Sequence, residues 1–155
     1  MPMVAPLELG ICVADLDLMV AFYTGVLDCT EMDAATLPAI RTRPIGLASG
    51  DVSIVWLQTH WGERIKLLQP HVRPETPEVP AHLCATAGVA YLTFCVDDLH
   101  DVAARAIRDG AAPLTENLVT DNGTGTWIAF FRDPEGNVIE LVERADLAAY
   151  RPDLS

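Results

Sequence analysis

Two stretches of this chain are repeated in order and in spacing, and that duplication limits the folds open to it. Glu8-Leu-Gly-Ile-Cys-Val-Ala-Asp-Leu16 returns as Tyr91-Leu-Thr-Phe-Cys-Val-Asp-Asp-Leu99 at a constant offset of 83. Ser53 to Gln69 lies over Trp127 to Glu143 without a gap at an offset of 74, with Gly62 over Gly136. The fall in offset means that the first half carries nine more residues than the second, between its first strand and its hairpin. A unit this long is not a solenoid repeat, which runs to a few tens of residues. The duplication instead predicts two half-domains packed face to face, with matching positions pointing into a shared cleft.

Each half reads as β-α-β-β-β. Leu7 to Val13 is a short apolar run with strand character, and Asp15 is a suitable helix N-cap because its carboxylate can accept from the first-turn amides. Leu16, Met19, Val20, Tyr23 and Leu27 follow near helical spacing and predict one buried face. Asp28 to Ile40 reads as a strand leaving through a loop at Pro38, and Arg43 to Ala48 is ambiguous. Val52 to Gln58 and Arg64 to Gln69 form a hairpin. In the second half the order is a strand at 89–96, a helix from Asp98 to Asp109 closed by Gly110, and a strand near 113–119. A hairpin then runs from Thr126 to Arg132 and Val138 to Glu143 around the turn Asp133-Pro-Glu-Gly-Asn137. At 155 residues the chain is expected to be one domain, 1–155, with a first module at 6–69 and a second at 88–143. A linker rich in proline is expected at 70–87, and a tail with a short helix at 144–155.

Charge narrows the partners. The net charge is −12, from 22 acidic and 10 basic residues, and a field of that sign repels phosphate backbones and anionic lipid. Neither nucleic acid nor a membrane surface is an expected partner. Half of the residues are hydrophobic, an ordinary globular balance. No run approaches the ~20 apolar residues of a membrane span, and the first residues lack a signal-peptide pattern, so a soluble, cytoplasmic protein is expected. Cys12 and Cys95 occupy equivalent positions and read as small buried hydrophobes. No CxxC pair signals a zinc or redox site.

Three segments carry a family likeness: Leu9-Gly-Ile-Cys-Val-Ala-Asp-Leu16, Ala21-Phe-Tyr-Thr-Gly-Val-Leu27 and Asp133-Pro-Glu-Gly-Asn-Val-Ile-Glu-Leu141. With these the chain resembles the vicinal oxygen chelate superfamily, the group of glyoxalase I, bleomycin-resistance and extradiol dioxygenase proteins. The resemblance spans residues 6 to 143 and implies an α+β fold of two βαβββ modules forming a cup-shaped mixed sheet. It also implies a divalent metal held by the first and last strand of each module, usually through histidines and carboxylates. The matched positions here are Glu8, Lys66, Tyr91 and Glu140, of which only Glu140 keeps a familiar identity.

Those four residues argue against the metal. A protonated lysine has no lone pair to give, and a neutral phenol is a poor ligand. Two carboxylates could hold Mg²⁺ or Mn²⁺ weakly through water, and that possibility stays open, but they make a poor zinc or nickel site. No cofactor is expected. Glu8 and Lys66 can form an ion pair, and Tyr91 and Glu140 can share a hydrogen bond. Either these contacts fill the place of a lost metal with a paired polar network, or they form an acid–base set. The preferred reading is a metal-independent isomerase, epimerase or lyase working by proton transfer on a small organic molecule. Glu8 and Glu140 would then be acid and base, with Lys66 and Tyr91 as electrophilic partners. A non-catalytic sequestering protein and a metal-dependent lyase or dioxygenase are the alternatives.

Around the four, Trp56, Trp61, His60, Trp127 and Phe130 lie on the matching hairpins and are candidate substrate contacts, with sheet core as the competing reading for Trp56, Trp127 and Phe130. Trp61, at a hairpin tip, is expected to border a pocket or a subunit contact, and His60 beside it reads as a general base or a solvated loop histidine. Arg41 and Arg43 fall in the longer segment of the first half, where they could receive a carboxylate or thioester headgroup or lie on the surface. His71, His82 and His100 lie outside the matched sites. A homodimer is a possible assembly.

Overall fold

The computed structural model describes residues 2–76, 78, 80–115, 118–121 and 123–154, which fall into two compact units, Met1–Glu78 and Val79–Ser155. In the first unit, strand β1 (Glu8–Cys12) leads into helix α1 (Leu16–Leu27) and strand β2 (Thr30–Leu37). A short helix α2 (Ala39–Thr42) follows, then β3 (Val52–Gln58) and β4 (Arg64–Pro70). The sheet order is β1-β4-β3-β2, with β1 parallel to β4 and the other pairs antiparallel.

Strand alternation divides this sheet into two faces. Ile11, Val55, Leu57, Ile65 and Leu67 share the face that meets α1, where Met19, Phe22, Tyr23 and Val26 are also buried. Fully burying a side chain such as Leu67 contributes about 1.5 to 3 kcal/mol, so this contact holds the unit together. Two of the helix's four core residues, Phe22 and Val26, lie outside the expected face, while Leu16, Val20 and Leu27 are only half-buried. Asp15 caps the helix as expected, accepting from the Leu18 amide at 3.0 Å. The helix ends at Asp28 in a left-handed conformation, φ 52°, without a glycine.

In the second unit, β5 (Leu92–Cys95), α3 (Leu99–Arg108), β6 (Ala112–Pro113), β7 (Thr120–Asp121), β8 (Thr126–Arg132) and β9 (Val138–Arg144) repeat the plan. The order is β5-β9-β8-β6, β7 also pairs with β8, and β5 runs parallel to β9. Asp98 caps α3 by accepting from the Asp101 amide at 2.9 Å, one repeat offset from Asp15. Ala129, Phe131, Ile139 and Leu141 pack under Leu99, Val102, Ala103 and Ala106. The hairpin turn is organised by Asp133, 3% exposed, whose carboxylate accepts from the amides of Glu135 and Asn137 and from the Asn137 side chain. The chain closes with α4 (Leu147–Tyr150) and a 3-10 turn at Pro152–Leu154.

Several boundaries differ from expectation. The strand expected at 89–96 shrinks to Leu92–Cys95, so Tyr91 stands just ahead of it. The strand expected near 113–119 is reduced to two-residue pairings on either side of residues 116 and 117, which lie outside the described residues. Cys12 and Cys95 are exposed rather than buried, because the face of β1 and β5 that carries them is the one turned away from the helices. Cys29 is the buried thiol, and burial, with a smaller contribution from Asp28, pushes its pKa up to about 11.

Candidate functional site

In the first unit the sheet face opposite α1 carries Glu8, Gly10 and Cys12 from β1, Arg64, Lys66 and Leu68 from β4, and Trp56 from β3. Glu8 is registered with Arg64, Gly10 with Lys66, and Lys66 with Trp56. Gly10 has no side chain, so the Lys66 chain reaches diagonally across it to Glu8. Its Nζ lies 3.0 Å from Glu8 Oε2, while Arg64 stands 3.9 Å from the other carboxylate oxygen. Both groups of the closer pair are about one-third exposed, 34% for Lys66 and 38% for Glu8.

The second unit places different atoms at the same positions. Thr93, the counterpart of Gly10, is registered directly with Glu140, and its hydroxyl donates to Glu140 Oε2 at 2.5 Å. The hydrogen bond expected between Tyr91 and Glu140 gives way to this one. Tyr91, ahead of the strand and 40% exposed, instead meets the Phe130 ring edge to face at 5.1 Å. The repeats differ here at three matched positions, Glu8 against Tyr91, Gly10 against Thr93 and Lys66 against Glu140, and the last-strand residue bonds across the diagonal in the first unit and straight across the ladder in the second.

The hairpin candidates separate. Trp56 shares the face of Lys66, and Phe130 shares the face of Glu140. Trp127 points to the opposite face with Ala129 and Phe131, toward α3, and so leaves the site face. Glu143, its register partner, marks that side by accepting from the Leu99 amide at 2.9 Å. His60 and Trp61 occupy the turn between β3 and β4, where their rings meet edge to face at 5.4 Å and Trp61 is exposed. Arg43 is engaged locally, donating from Nε to the Ser49 carbonyl at 2.7 Å. Arg64 and Thr93 had not been expected at the site. Their signal is the parallel pairing of first and last strands, which registers Arg64 with Glu8 and Thr93 with Glu140.

The model of the Glyoxalase/Bleomycin resistance protein/Dioxygenase superfamily matches residues 5–141, and the chain belongs to that superfamily. A glyoxalase family protein from Bacillus cereus is 23% identical, with a TM-score of 0.77 over 92% of this chain and 95% of that one. Trypanothione-dependent glyoxalase I from Leishmania major is 19% identical, with a TM-score of 0.67 over 95% and 91%. Glyoxalase I from Zea mays is 20% identical, with a TM-score of 0.68 over 92% of this chain and 45% of the maize protein. At these identities the likeness establishes the fold alone. Among curated proteins, none matches the chain.

The superfamily often uses a divalent metal, and the residues at the matched positions do not suit one. Lys66 has no lone pair for a cation and already pairs with the Glu8 carboxylate. Glu140 is hydrogen-bonded to a hydroxyl, and the Tyr91 ring is packed on Phe130. Among the described residues, no group of three or more His, Cys, Asp or Glu side chains is arranged to hold an ion. Nor is any helix long and apolar enough to cross a membrane among those residues.

Proposed function

We propose that this protein is a metal-independent enzyme that moves a proton on a small organic molecule, as an isomerase, epimerase or lyase. One observation carries the reading: an ammonium 3.0 Å from a carboxylate on a partly open sheet face. In this reading the Glu8 carboxylate takes the proton from a carbon next to a carbonyl. The C–H electrons form the enolate double bond, the carbonyl electrons move to oxygen, and the Lys66 ammonium donates a hydrogen bond to that oxygen. Where a carbon–carbon double bond adjoins that carbon, the enolate extends over it, and protonated Glu8 returns the proton to its far end, which shifts the double bond and isomerises the substrate. Loss of a leaving group from the next carbon turns the same step into a lyase reaction. Glu140 and Tyr91 are carried in the reading as a second acid and a second electrophile, and Trp56 and Phe130 as substrate contacts. A cytoplasmic homodimer is the assembly it assumes.

A second reading, a protein that sequesters a small molecule without turnover, is favoured by the Tyr91–Phe130 pair. A phenol ring packed edge to face on another ring offers an aromatic platform rather than an acid. Replacing Glu8 by Gln and Lys66 by Met separates the two. Turnover lost with ligand affinity retained supports the enzyme. A ligand that binds and is never turned over by the unaltered protein supports sequestration.

A further inference from the structure

The longer segment of the first half, between β2 and β3, contributes one wall of a cavity. Leu47, Ala48, Ser49 and Gly50 form one wall of a cavity of about 250 Å³, whose other walls are Cys12, Val52, Leu68, Pro70 and Val72. Its floor lies on the same sheet face as Lys66: Leu68 is the next residue of β4 on that side, so the cavity begins about 7 Å along the strand from the ion pair.

The wall is held in place by hydrogen bonds to two of its carbonyls and one of its amides. Thr42, fully buried, donates from its hydroxyl to the Gly50 carbonyl at 2.7 Å, and Arg43 Nε donates to the Ser49 carbonyl at 2.7 Å. The Leu47 amide donates to the Thr42 carbonyl at 3.0 Å, and Asp51 accepts from the Ala39 amide at 2.7 Å. With those two carbonyls engaged, the side chains the cavity presents are mainly apolar. At one matching position the second unit is polar. Arg144 stands where Pro70 does, with its guanidinium 3.6 Å above the Tyr150 ring.

We propose that this cavity is a subsite for an apolar group of the substrate, an aromatic ring or a chain of roughly six to eight carbons, since a cavity of about 150 Å³ suffices for benzene. The substrate class is then a carbonyl or carboxyl compound with an apolar tail. That statement rests on the proton-transfer reading for where the polar end lies, while the cavity itself does not.

The test uses methyl-labelled full-length protein and NMR titration with two probes. Benzyl alcohol, which is neutral, should move the Val52, Leu68 and Val72 methyl signals saturably. Linear carboxylates from butanoate to octanoate should bind about fourfold more tightly per added methylene and gain nothing from longer chains. Ala48→Phe, which fills the cavity from the loop, should abolish the benzyl alcohol response, and Cys12→Leu, which fills it from the strand, should weaken that response at least tenfold. Saturation by benzyl alcohol without movement of those methyls, or equal binding by both filled variants, would overturn the subsite. Lys66→Met should weaken carboxylates and spare benzyl alcohol. Carboxylate binding unchanged in Lys66→Met would instead overturn the Glu8–Lys66 reading, with the cavity judged by benzyl alcohol alone.

Discussion

Lys66 reaches Glu8 because nothing stands between them: the residue registered with Lys66 is Gly10, and the ammonium crosses that bare position to lie 3.0 Å from the carboxylate. A Cβ at Gly10 would meet Leu68 Cδ1 at 3.1 Å, so the gap is shaped by the neighbouring strand as well. Because the pair is one-third exposed, solvent screens it and its contribution to stability is about 1 kcal/mol or less. Glu8→Gln and Lys66→Met should each shift the thermal midpoint by only a few degrees, while turnover falls about 100-fold or more. Equal, large losses of stability in both variants would mark the pair as scaffold.

Removal of metal should change nothing. After dialysis against a chelator, activity and melting temperature are expected to match those of the untreated protein, and added Mg²⁺ or Mn²⁺ should not raise either. Stoichiometric metal in protein purified without chelator, measured by elemental analysis, would contradict the donor set described above.

The four cysteines should separate by environment. Cys12, Cys84 and Cys95 are exposed, whereas Cys29 is buried and its pKa is pushed up to about 11. Iodoacetamide at pH 8 should label the first three and spare Cys29 in the folded protein, as read by peptide mass spectrometry.

The same thiol has a pH consequence. Its folded pKa lies above the ordinary value of 9.0, so burial favours the neutral form, and the native state holds the proton over a range where the unfolded chain releases it. Its share of stability is therefore fully present below pH 9 and lost as pH rises toward 11, by about 2 to 3 kcal/mol. Denaturant titrations should show a shallower alkaline decline for Cys29→Ala than for the parent protein.

Asp133 should be the costliest of the turn residues. Its carboxylate accepts from two backbone amides and one side-chain amide while 3% exposed, so Asp133→Ala leaves buried donors unsatisfied and should cost about 2 to 4 kcal/mol. Asp15→Ala and Asp98→Ala remove single exposed caps and should cost about 1 kcal/mol each. Chemical denaturation of the three variants gives the ranking.

Taken alone, the sequence determined the duplication and, with it, the order of first strand, helix and hairpin in each unit, and the Asp15 cap. These features are local: a capping carboxylate, a turn glycine and a strand's alternation act within a few residues, so order and spacing reveal them. It also paired Glu8 with Tyr91 and Lys66 with Glu140, because a constant offset within each stretch identifies equivalent positions, and the family resemblance singled those four out. What those residues touch was decided by tertiary structure. Whether Glu140 meets Tyr91 or Thr93, and whether Trp127 faces the site or the helix, depends on strand register, and one residue of register exchanges the two faces of a sheet. The exposure of Cys12 and Cys95, and the cavity walled by Leu47 to Gly50, arise from contacts between segments distant in sequence, for which no local pattern codes.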